Sequence, residues 1–533
     1  MNPQSIREAQ TEEGHAPNPV FPGFFPDPST IVVDGRYYIA HSSFEWFPVV
    51  PIHSSPDLVQ WSYAGALASS TDDAWNLAGA PDSLGVWAPS LSHDGQRFWI
   101  VVSILRSNVA GEKNIETVIA TSNDAAVWSP PVRVPSTGFD PALFHDDGRL
   151  WLVNMAWDNA PNAERFAGIT LVELDRESLQ PLNAPQTILR TGTLIEGPNL
   201  YRTADGYLLT VAEGGTGWNH GITAFRADRL TGPWQRDPVR SLLTTRHRPG
   251  HPIQKAGHGE IVAADFDGPF FLVHLGSRVA LEQGERRALL GRETYVQNLV
   301  WEDGWPRLAN GTDLPDETFR PPAAIADAST AADASTTDGL GRAWPWSGLR
   351  RSADRFTEAL SPGRVALRGS GSLTSPYEVS LLARRVQSAE HQFTVSVDAA
   401  PEGPWHGAGI ALYYDTRNYF LLEATATAVG ALTLSLILRD AGAVPQELLL
   451  DEAVRTLPAH LVRMRVTTRD LRTQFSVDVG AGWLDVGPEL NFLTLSDDHD
   501  STLQFTGPMF GVTARDTLLG QWTATFHDYV AEP

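Results

Sequence analysis

The sequence predicts an all-β protein in which an N-terminal five-bladed β-propeller is followed by a C-terminal β-sandwich. Three observations support this prediction. An Asp-Gly dipeptide followed by an aromatic, strand-like run recurs five times in the N-terminal half. Helical periodicity is weak through that half. Apolar and polar residues alternate in many short runs of the C-terminal part, as they do in half-buried strands.

Each repeat predicts a β-hairpin, because glycine in an Asp-Gly turn accepts the positive φ of a tight primed turn. Steps of 53 to 62 residues separate the copies, which is enough for several short strands in each. Units of this length fit propeller blades better than solenoid turns. The five dipeptides begin at Asp34, Asp94, Asp147, Asp205 and Asp267.

A change in composition after Trp305 separates the two predicted parts. The stretch 316–341 contains Pro-Pro, Ala-Asp and Ser-Thr pairs, which are typical of a linker or a long surface crossing. Alternation then returns, for example in Phe393, Val395 and Val397, and predicts the sandwich. We therefore predict a propeller at 15–315, a crossing segment at 316–345 and a sandwich at 346–533.

Charge and composition exclude several classes of function. The formal net charge of −23 disfavours nucleic acid and anionic membranes as partners. The absence of cysteine excludes disulfides, thiolate metal sites and cysteine nucleophiles. The N-terminus has no apolar signal segment and the most apolar run, 424–438, is too short to span a bilayer, so we predict a cytoplasmic protein. The chain contains 17 tryptophans, which could stack on ring-shaped ligands or pack in a core.

The residues that precede the hairpins form the candidate site. The innermost strands of a propeller line one channel, so equivalent positions at their starts converge on the axis. Seven or nine residues before the Asp-Gly dipeptides stand Asp27, Trp87, Asp140, Glu196 and His258. Close carboxylates raise each other's pKa, which keeps one protonated near neutral pH. An acid and a base facing a neutral ring suit hydrolysis of a glycosidic bond.

A structural role remains open for each of these residues taken singly. Asp27 and Asp140 precede proline, as residues that open turns often do, and Glu196 precedes Gly-Pro in the manner of a solvated loop. His258 and Trp87 are each typical of a core, and Arg292 is typical of a surface cation paired with Glu293. The shared position in five repeats favours a joint site.

Several motifs spread over all five repeats resemble the glycoside hydrolases of family 43. The likeness is greatest to the two-domain β-xylosidases, in which a five-bladed propeller precedes a sandwich of the concanavalin/lectin-like jelly-roll type. The motifs are Phe24-Phe25-Pro26-Asp27-Pro28-Ser29, Ser43-Phe44-Glu45-Trp46-Phe47-Pro48, Trp87-Ala88-Pro89, Gly138-Phe139-Asp140, Glu196-Gly197-Pro198, Gly257-His258 and Leu290-Gly291-Arg292-Glu293-Thr294.

The resemblance implies a role for each residue. Asp27 matches the general base, Glu196 the general acid, and Asp140 the third carboxylate that orients the site and raises the pKa of the acid. Arg292 matches an arginine that binds sugar hydroxyls and steadies the base. His258 matches the axial histidine. The remaining matches are the sugar-facing aromatics Phe44, Trp87 and Trp157, and Phe505 of the sandwich, which would close the pocket.

The resemblance implies an inverting exo-glycosidase that releases non-reducing-end xylose from short β-1,4-xylooligosaccharides. An α-L-arabinofuranosidase, or an enzyme with both activities, is the alternative within the class, and a non-catalytic sugar-binding propeller is the alternative outside it. No cofactor is required and no metal ligand is predicted, although a bound calcium or other cation near His258 is left open. A dimer or tetramer of identical chains is expected.

Overall fold

The structure is a computed structural model that describes residues 14–70, 74–263, 268–282, 284–322, 346–361, 363–502 and 504–532. In these ranges the chain is built of strands, with a single four-residue α-helix, α1 (Glu452–Arg455). No helix in them is long and apolar enough to cross a membrane. The predicted all-β fold, a five-bladed propeller followed by a sandwich, is confirmed.

Five separate antiparallel sheets form the blades. In chain order the N-terminal strands are β1 (Ala16–Pro17), β2 (Ser29–Val33), β3 (Arg36–Ala40), β4 (Trp46–Phe47), β5 (Val49–Ser55), β6 (Ser62–Ala68), β7 (Gly85–Val86), β8 (Ser90–His93), β9 (Phe98–Val109), β10 (Glu112–Ser122), β11 (Val132–Val134), β12 (Gly138–Asp146), β13 (Arg149–Trp157), β14 (Phe166–Leu174), β15 (Gln186–Leu189), β16 (Ile195–Thr203), β17 (Gly206–Glu213), β18 (Gly221–Ala227), β19 (Gln235–Arg236), β20 (Leu243–Thr244), β21 (Ile253–Ala263), β22 (Phe270–Glu282), β23 (Glu285–Ala288), β24 (Glu293–Glu302), β25 (Trp305–Leu308) and β26 (Thr318–Phe319).

Each blade begins with its innermost strand. The blades are β2-β3-β5-β6, β7/β8-β9-β10-β11, β12-β13-β14-β15, β16-β17-β18-β19 with β20, and β21-β22-β24-β25 with β23. The predicted Asp-Gly turns join the first two strands of a blade, and in blade 3 Asp147 and Gly148 have φ of 48° and 75°. Those positive values are the ones a primed turn requires. Asp267, in the fifth copy, lies outside the described residues.

The N-terminal segment closes the ring of blades. β1 pairs with β26, and the backbone N–H of Val20 donates to the carbonyl of Thr294 in blade 5 at 2.9 Å. Further along, the N–H of Phe25 donates to the carbonyl of Arg292 at 3.0 Å. Closure therefore brings the segment before blade 1 against the start of β24, next to Arg292.

The C-terminal part is a two-layer sandwich. Its layers are an eight-stranded and a seven-stranded antiparallel sheet, and the largest apolar cluster lies between them. The strands are β27 (Ser347–Leu349), β28 (Thr357–Ser361), β29 (Arg364–Arg368), β30 (Ser380–Arg385), β31 (His391–Asp398), β32 (His406–Asp415), β33 (Asn418–Ala426), β34 (Leu432–Arg439), β35 (Gln446–Leu448), β36 (Leu461–Arg469), β37 (Arg472–Asp478), β38 (Trp483–Asn491), β39 (Met509–Asp516) and β40 (Thr523–Glu532).

The two parts share a sheet and buried polar contacts. β4 of the propeller pairs with β27, so it forms an edge of the eight-stranded sheet. Arg385 on β30 is buried, and its Nε donates to the carbonyl of Phe24 at 2.6 Å. Arg350 is fully buried and donates to Asp82 at 2.6 Å. These contacts fix the sandwich against the propeller loops that lead to the site.

The predicted domain boundaries stay predictions. The crossing segment predicted at 316–345 lies mostly outside the described residues, which end at 322 and resume at 346. Its first residues include β26, whose pairing with β1 belongs to the propeller closure.

Candidate active site

The innermost strands are irregular where the axial residues stand. In blade 2 the strand is broken into β7 and β8, with Trp87 at the break. In blades 3 and 4 the pairing register shifts beside Asp140 and Glu196. In blade 5 it shifts on both sides of Gly257, next to His258. Such bulges re-aim side chains and are frequent beside active sites.

The backbone conformation of three axial residues also indicates a functional site. The φ of Asp27 is 52°, that of Asp140 is 50° and that of His258 is 38°. Positive φ is uncommon for residues other than glycine, and it clusters at functional sites. Asp27 and Asp140 can therefore be turn residues and site residues at once. The left-handed backbone conformation of the turn directs each carboxylate into the site.

Asp27 is a buried carboxylate held by a cation. Nη1 of Arg292 donates to its Oδ1 at 2.9 Å, and the hydroxyl of Ser42 donates to its Oδ2 at 2.6 Å. Nδ1 of His258 lies 3.6 Å from Oδ1. Burial raises the pKa of Asp27, but Arg292, His258 and the Ser42 hydrogen bond outweigh it and leave the pKa below its usual value. Asp27 is therefore ionised at neutral pH.

Asp140 and Glu196 show the opposite shift. Burial and then the negative charge of Asp27 raise the pKa of Glu196 to about 7, against the opposing influence of Arg292 and Lys113. Burial and then the charge of Glu196 raise the pKa of Asp140 well above its usual value, and the N–H of Gly197 donates to this carboxylate. The two carboxyl groups titrate as a pair, so near neutral pH the pair retains a proton.

Arg292 is not a surface residue. Only 4% of it is exposed, and Glu293 pairs instead with Arg278 at 2.6 Å, so the surface-pair interpretation is wrong. Besides Asp27, the guanidinium donates to the hydroxyl of Thr216 at 3.2 Å and to the carbonyl of Phe505 at 3.1 Å. One cation thus connects blade 1, blade 4 and the sandwich.

The predicted aromatic residues form a wall around the carboxylates. The ring centroids of Phe44 and Phe505 are 5.9 Å apart, and those of Trp87 and Phe505 are 5.5 Å apart. Phe139 continues the wall, 5.2 Å from Trp87 and 5.7 Å from Trp157. The structure thus brings all nine predicted residues into one site or its wall: Asp27, Asp140, Glu196, Arg292, His258, Phe44, Trp87, Trp157 and Phe505.

Phe505 reaches the propeller on a loop of the sandwich. Its backbone N–H donates to the hydroxyl of Ser83, a propeller residue, at 2.9 Å. Earlier in the same loop, Asp498 pairs with Lys255 of blade 5 at 2.7 Å. The loop is therefore anchored at two places, and its aromatic ring covers the axis from the side of the sandwich.

Sequence reasoning missed four polar residues of the site. Lys113 lies at the tip of the β9–β10 hairpin, with Nζ 3.9 Å from the ring centroid of Trp157 in blade 3. The others are Ser42, Thr216 and His220. His220 is buried, Nδ1 lies 2.9 Å from the carbonyl of Lys255, and burial lowers its pKa to about 3, so it is neutral. None of the four occupies a repeated position, so the repeat contains no signal for them.

The side chains around His258 do not fit a directly coordinated cation. Oδ1 of Asp27, the carboxylate oxygen that faces His258, already bonds the guanidinium of Arg292. Within the described ranges no group of three or more His, Asp or Glu side chains is placed to hold a metal ion. We therefore assign no catalytic step to a metal.

The site contains three axial carboxyl groups. Arg292 keeps one of them ionised, and the other two share a retained proton. An acid and a base arranged in this way are what a glycosidase needs to cleave a glycosidic bond. The chain belongs to family 43 of the glycosyl hydrolases, whose model matches residues 16–306. A second model, the β-xylosidase C-terminal concanavalin A-like domain, matches residues 336–530.

Relatives align over nearly the whole chain. Xylosidase/arabinosidase 43B of Humicola insolens is 37% identical over 97% of this chain and 97% of its own. A xylan 1,3-β-xylosidase of a Vibrio species is 32% identical over 96% of this chain and 98% of its own. The crystal structure of a xylan β-1,4-xylosidase from Bacillus halodurans C-125 superimposes with a TM-score of 0.88 at 34% identity, covering 97% of this chain and 100% of that one.

Proposed function

We propose that this protein is an inverting exo-β-xylosidase that removes xylose from the non-reducing end of short β-1,4-xylooligosaccharides. The observation that carries the proposal is the opposed ionisation of the axial carboxylates. Arg292 keeps Asp27 ionised, while burial and like charges keep a proton on the pair formed by Asp140 and Glu196. Relatives named as xylosidases support the choice of sugar.

In the proposed mechanism Asp27 is the general base. Its ionised carboxylate takes a proton from a water molecule, and the water oxygen forms the new bond to the anomeric carbon. Glu196 donates its proton to the glycosidic oxygen as that bond breaks, so the leaving sugar departs neutral. Attack from the face opposite the leaving group inverts the anomeric configuration.

The remaining residues position these groups. We propose that Asp140 orients the acid and shares the retained proton with it, and that Arg292 orients Asp27 while its guanidinium faces sugar hydroxyls. His258 contributes a neutral hydrogen-bonding group, because burial lowers its pKa. Phe505 packs against Phe44 and closes one side of the site. A pocket closed by a second domain admits a chain end more readily than the middle of a chain, which supports exo cleavage.

The sugar preference is tested with two aryl glycosides. We expect a higher kcat/KM on 4-nitrophenyl β-D-xylopyranoside than on 4-nitrophenyl α-L-arabinofuranoside. Faster arabinose release would favour the arabinofuranosidase alternative, which the name of the Humicola relative also supports. Binding of xylose oligomers without turnover of either substrate would favour the non-catalytic sugar-binding propeller.

The pH dependence of activity follows from the lowered pKa of Asp27 and the raised pKa of Glu196. Activity requires ionised Asp27, so it is expected to fall as pH drops through a pKa below 3.8. It also requires the proton of the Asp140–Glu196 pair, so kcat/KM is expected to fall as pH rises through about 7. Arg292 lowers the pKa of all three carboxyl groups, so Arg292→Met is expected to move both limbs of the profile to higher pH.

The control for that profile is Arg133→Met, which replaces an arginine whose side chain is 69% exposed in the outer strand of blade 2. Both limbs should stay where they are in the wild type. An acid limb that does not move in Arg292→Met would contradict the claim that Arg292 keeps Asp27 ionised.

A cytoplasmic location, a dimer or tetramer, and catalysis without a cofactor stay predictions of the sequence. The prediction of catalysis without a cofactor is supported by the contacts of Asp27, because Arg292 supplies the positive charge beside this carboxylate.

A further inference from the structure

A cavity lies between blades 3 and 4, and its lining contains none of the predicted site residues. Its volume is about 270 Å³. We call it the blade 3–4 groove, and its lining includes Asp158, Phe166, Arg190, Thr191, Thr193 and Ile195. Ile195 immediately precedes Glu196 on β16, so the chain segment that carries the acid also contributes to the wall of the groove.

The groove opens at the same edge of the blades as the active site. Asp140 and Glu196 stand at the starts of β12 and β16. Antiparallel strands alternate in direction, so the end of β13, the start of β14 and the end of β15 lie at that edge too. Those strand ends are Trp157, Phe166 and Leu189, and they carry the segments that line the groove.

A continuous row of aromatic rings leads from the pocket to the groove. Trp87 touches Phe139, Phe139 touches Trp157, and the rings of Trp157 and Phe166 are 5.0 Å apart. Nζ of Lys113 covers the face of Trp157 at 3.9 Å. Phe166, half-buried and lining the cavity, is therefore the next ring along the row that a sugar can stack on.

The polar lining favours a neutral polyhydroxylated ligand. Asp158 and Glu164 contribute carboxylates, which accept hydrogen bonds from hydroxyl groups and repel an anion. The exposed guanidinium of Arg190 makes no ion pair with any residue in the described ranges, so its donors face the groove or solvent. An aromatic face with a few polar groups is the usual composition of a small-ligand site.

We propose that the blade 3–4 groove is a subsite for the second sugar on the leaving-group side, stacked on Phe166 and hydrogen-bonded by Asp158 and Arg190. This inference rests on the proposed function, because it extends the path of the same substrate past Glu196. It implies that a trisaccharide makes a contact that a disaccharide lacks.

The test compares chain lengths in wild type and Phe166→Ala. The substrates are 4-nitrophenyl β-D-xylopyranoside, xylobiose and xylotriose, and the readout is kcat/KM on each oligosaccharide divided by that on the aryl xyloside. For Phe166→Ala we expect the xylotriose ratio to fall about fivefold, the size of one lost stacking contact, and the xylobiose ratio to change by less than about twofold.

Two further variants guard against a merely structural effect. Arg190→Ala removes an exposed side chain and should also lower the xylotriose ratio. Tyr207→Ala is the matched control, because Tyr207 is a half-buried aromatic residue at the opposite edge of blade 4, 6.1 Å from Phe144. It should leave both ratios unchanged. Equal losses on xylobiose and xylotriose, or no loss in either groove variant, would overturn the proposal.

Calorimetry separates this inference from the proposed catalysis. Absence of turnover by the wild type would contradict the proposed function alone. Xylobiose and xylotriose are then titrated into Asp27→Asn and into Asp27→Asn with Phe166→Ala. If Asp27→Asn binds xylotriose more tightly than xylobiose, and Phe166→Ala removes the difference, the groove is a sugar subsite. If Asp27→Asn binds the two sugars with equal affinity, the subsite proposal is overturned.

Discussion

An Asp27→Asn variant is expected to lose about 10³- to 10⁴-fold in kcat/KM on every xyloside, whatever the leaving group, which is the size of a lost general base. The amide cannot take the proton of the attacking water. Its size and its contacts with Ser42 and Arg292 are nearly those of the carboxylate, so the fold should persist.

The matched control for this loss is Asp34→Asn. Asp34 undergoes the same change of side chain in the same blade, and its φ of 49° is close to the 52° of Asp27. It lies in the exposed hairpin turn away from the axis and should retain full activity. Substantial turnover by Asp27→Asn would remove Asp27 from the role of base.

A Glu196→Gln variant is expected to show a loss that depends on the leaving group. On xylobiose, whose leaving alcohol needs a proton, kcat/KM should fall about 10³-fold. On 2,4-dinitrophenyl β-D-xylopyranoside, whose phenolate leaves unaided, the loss should be about tenfold or less. The alkaline limb of the pH profile should also disappear on the activated substrate, because glutamine has no proton to lose.

Glu177→Gln, an exposed position in blade 3, is the control and should resemble the wild type on both substrates. Equal losses on xylobiose and the dinitrophenyl xyloside, in a variant whose melting temperature matches that of the wild type, would show that Glu196 is not the acid. The pair of substrates separates chemistry from misfolding, since a folding defect would lower both rates by the same factor.

The repeat explains why much of the fold and of the site could be predicted. Five Asp-Gly dipeptides recur in the sequence, and the four that the structure describes join the first two strands of a blade, so the residues seven or nine positions before the dipeptides converge on the axis. Asp27, Asp140, Glu196 and His258 were found this way because propeller geometry relates their positions. Arg292 and Phe505 lie outside the repeat and were found only through resemblance.

Residues placed by one long loop or by the second domain could not be predicted from the repeat. Lys113 reaches blade 3 because the β9–β10 hairpin is extended and Asn159 bonds the backbone N–H and carbonyl of Lys113, both at 3.0 Å. Pairing of β4 with β27 depends on how the sandwich docks against the propeller. The alternation of apolar and polar residues within a strand does not show which strand of another domain it will pair with. From the sequence alone, Arg292 was interpreted as a surface cation. Its neighbours in the sequence do not indicate that it is buried against Asp27.

The central claim, an inverting hydrolysis between ionised Asp27 and a protonated acid, is tested most directly by the configuration of the released sugar. Hydrolysis of 4-nitrophenyl β-D-xylopyranoside is followed by proton NMR from the first minutes, before the anomers of xylose equilibrate. The account predicts that α-xylose appears first and β-xylose only later by mutarotation. Initial release of β-xylose would contradict it, because retention requires a covalent intermediate that the proposed water-activating Asp27 does not form.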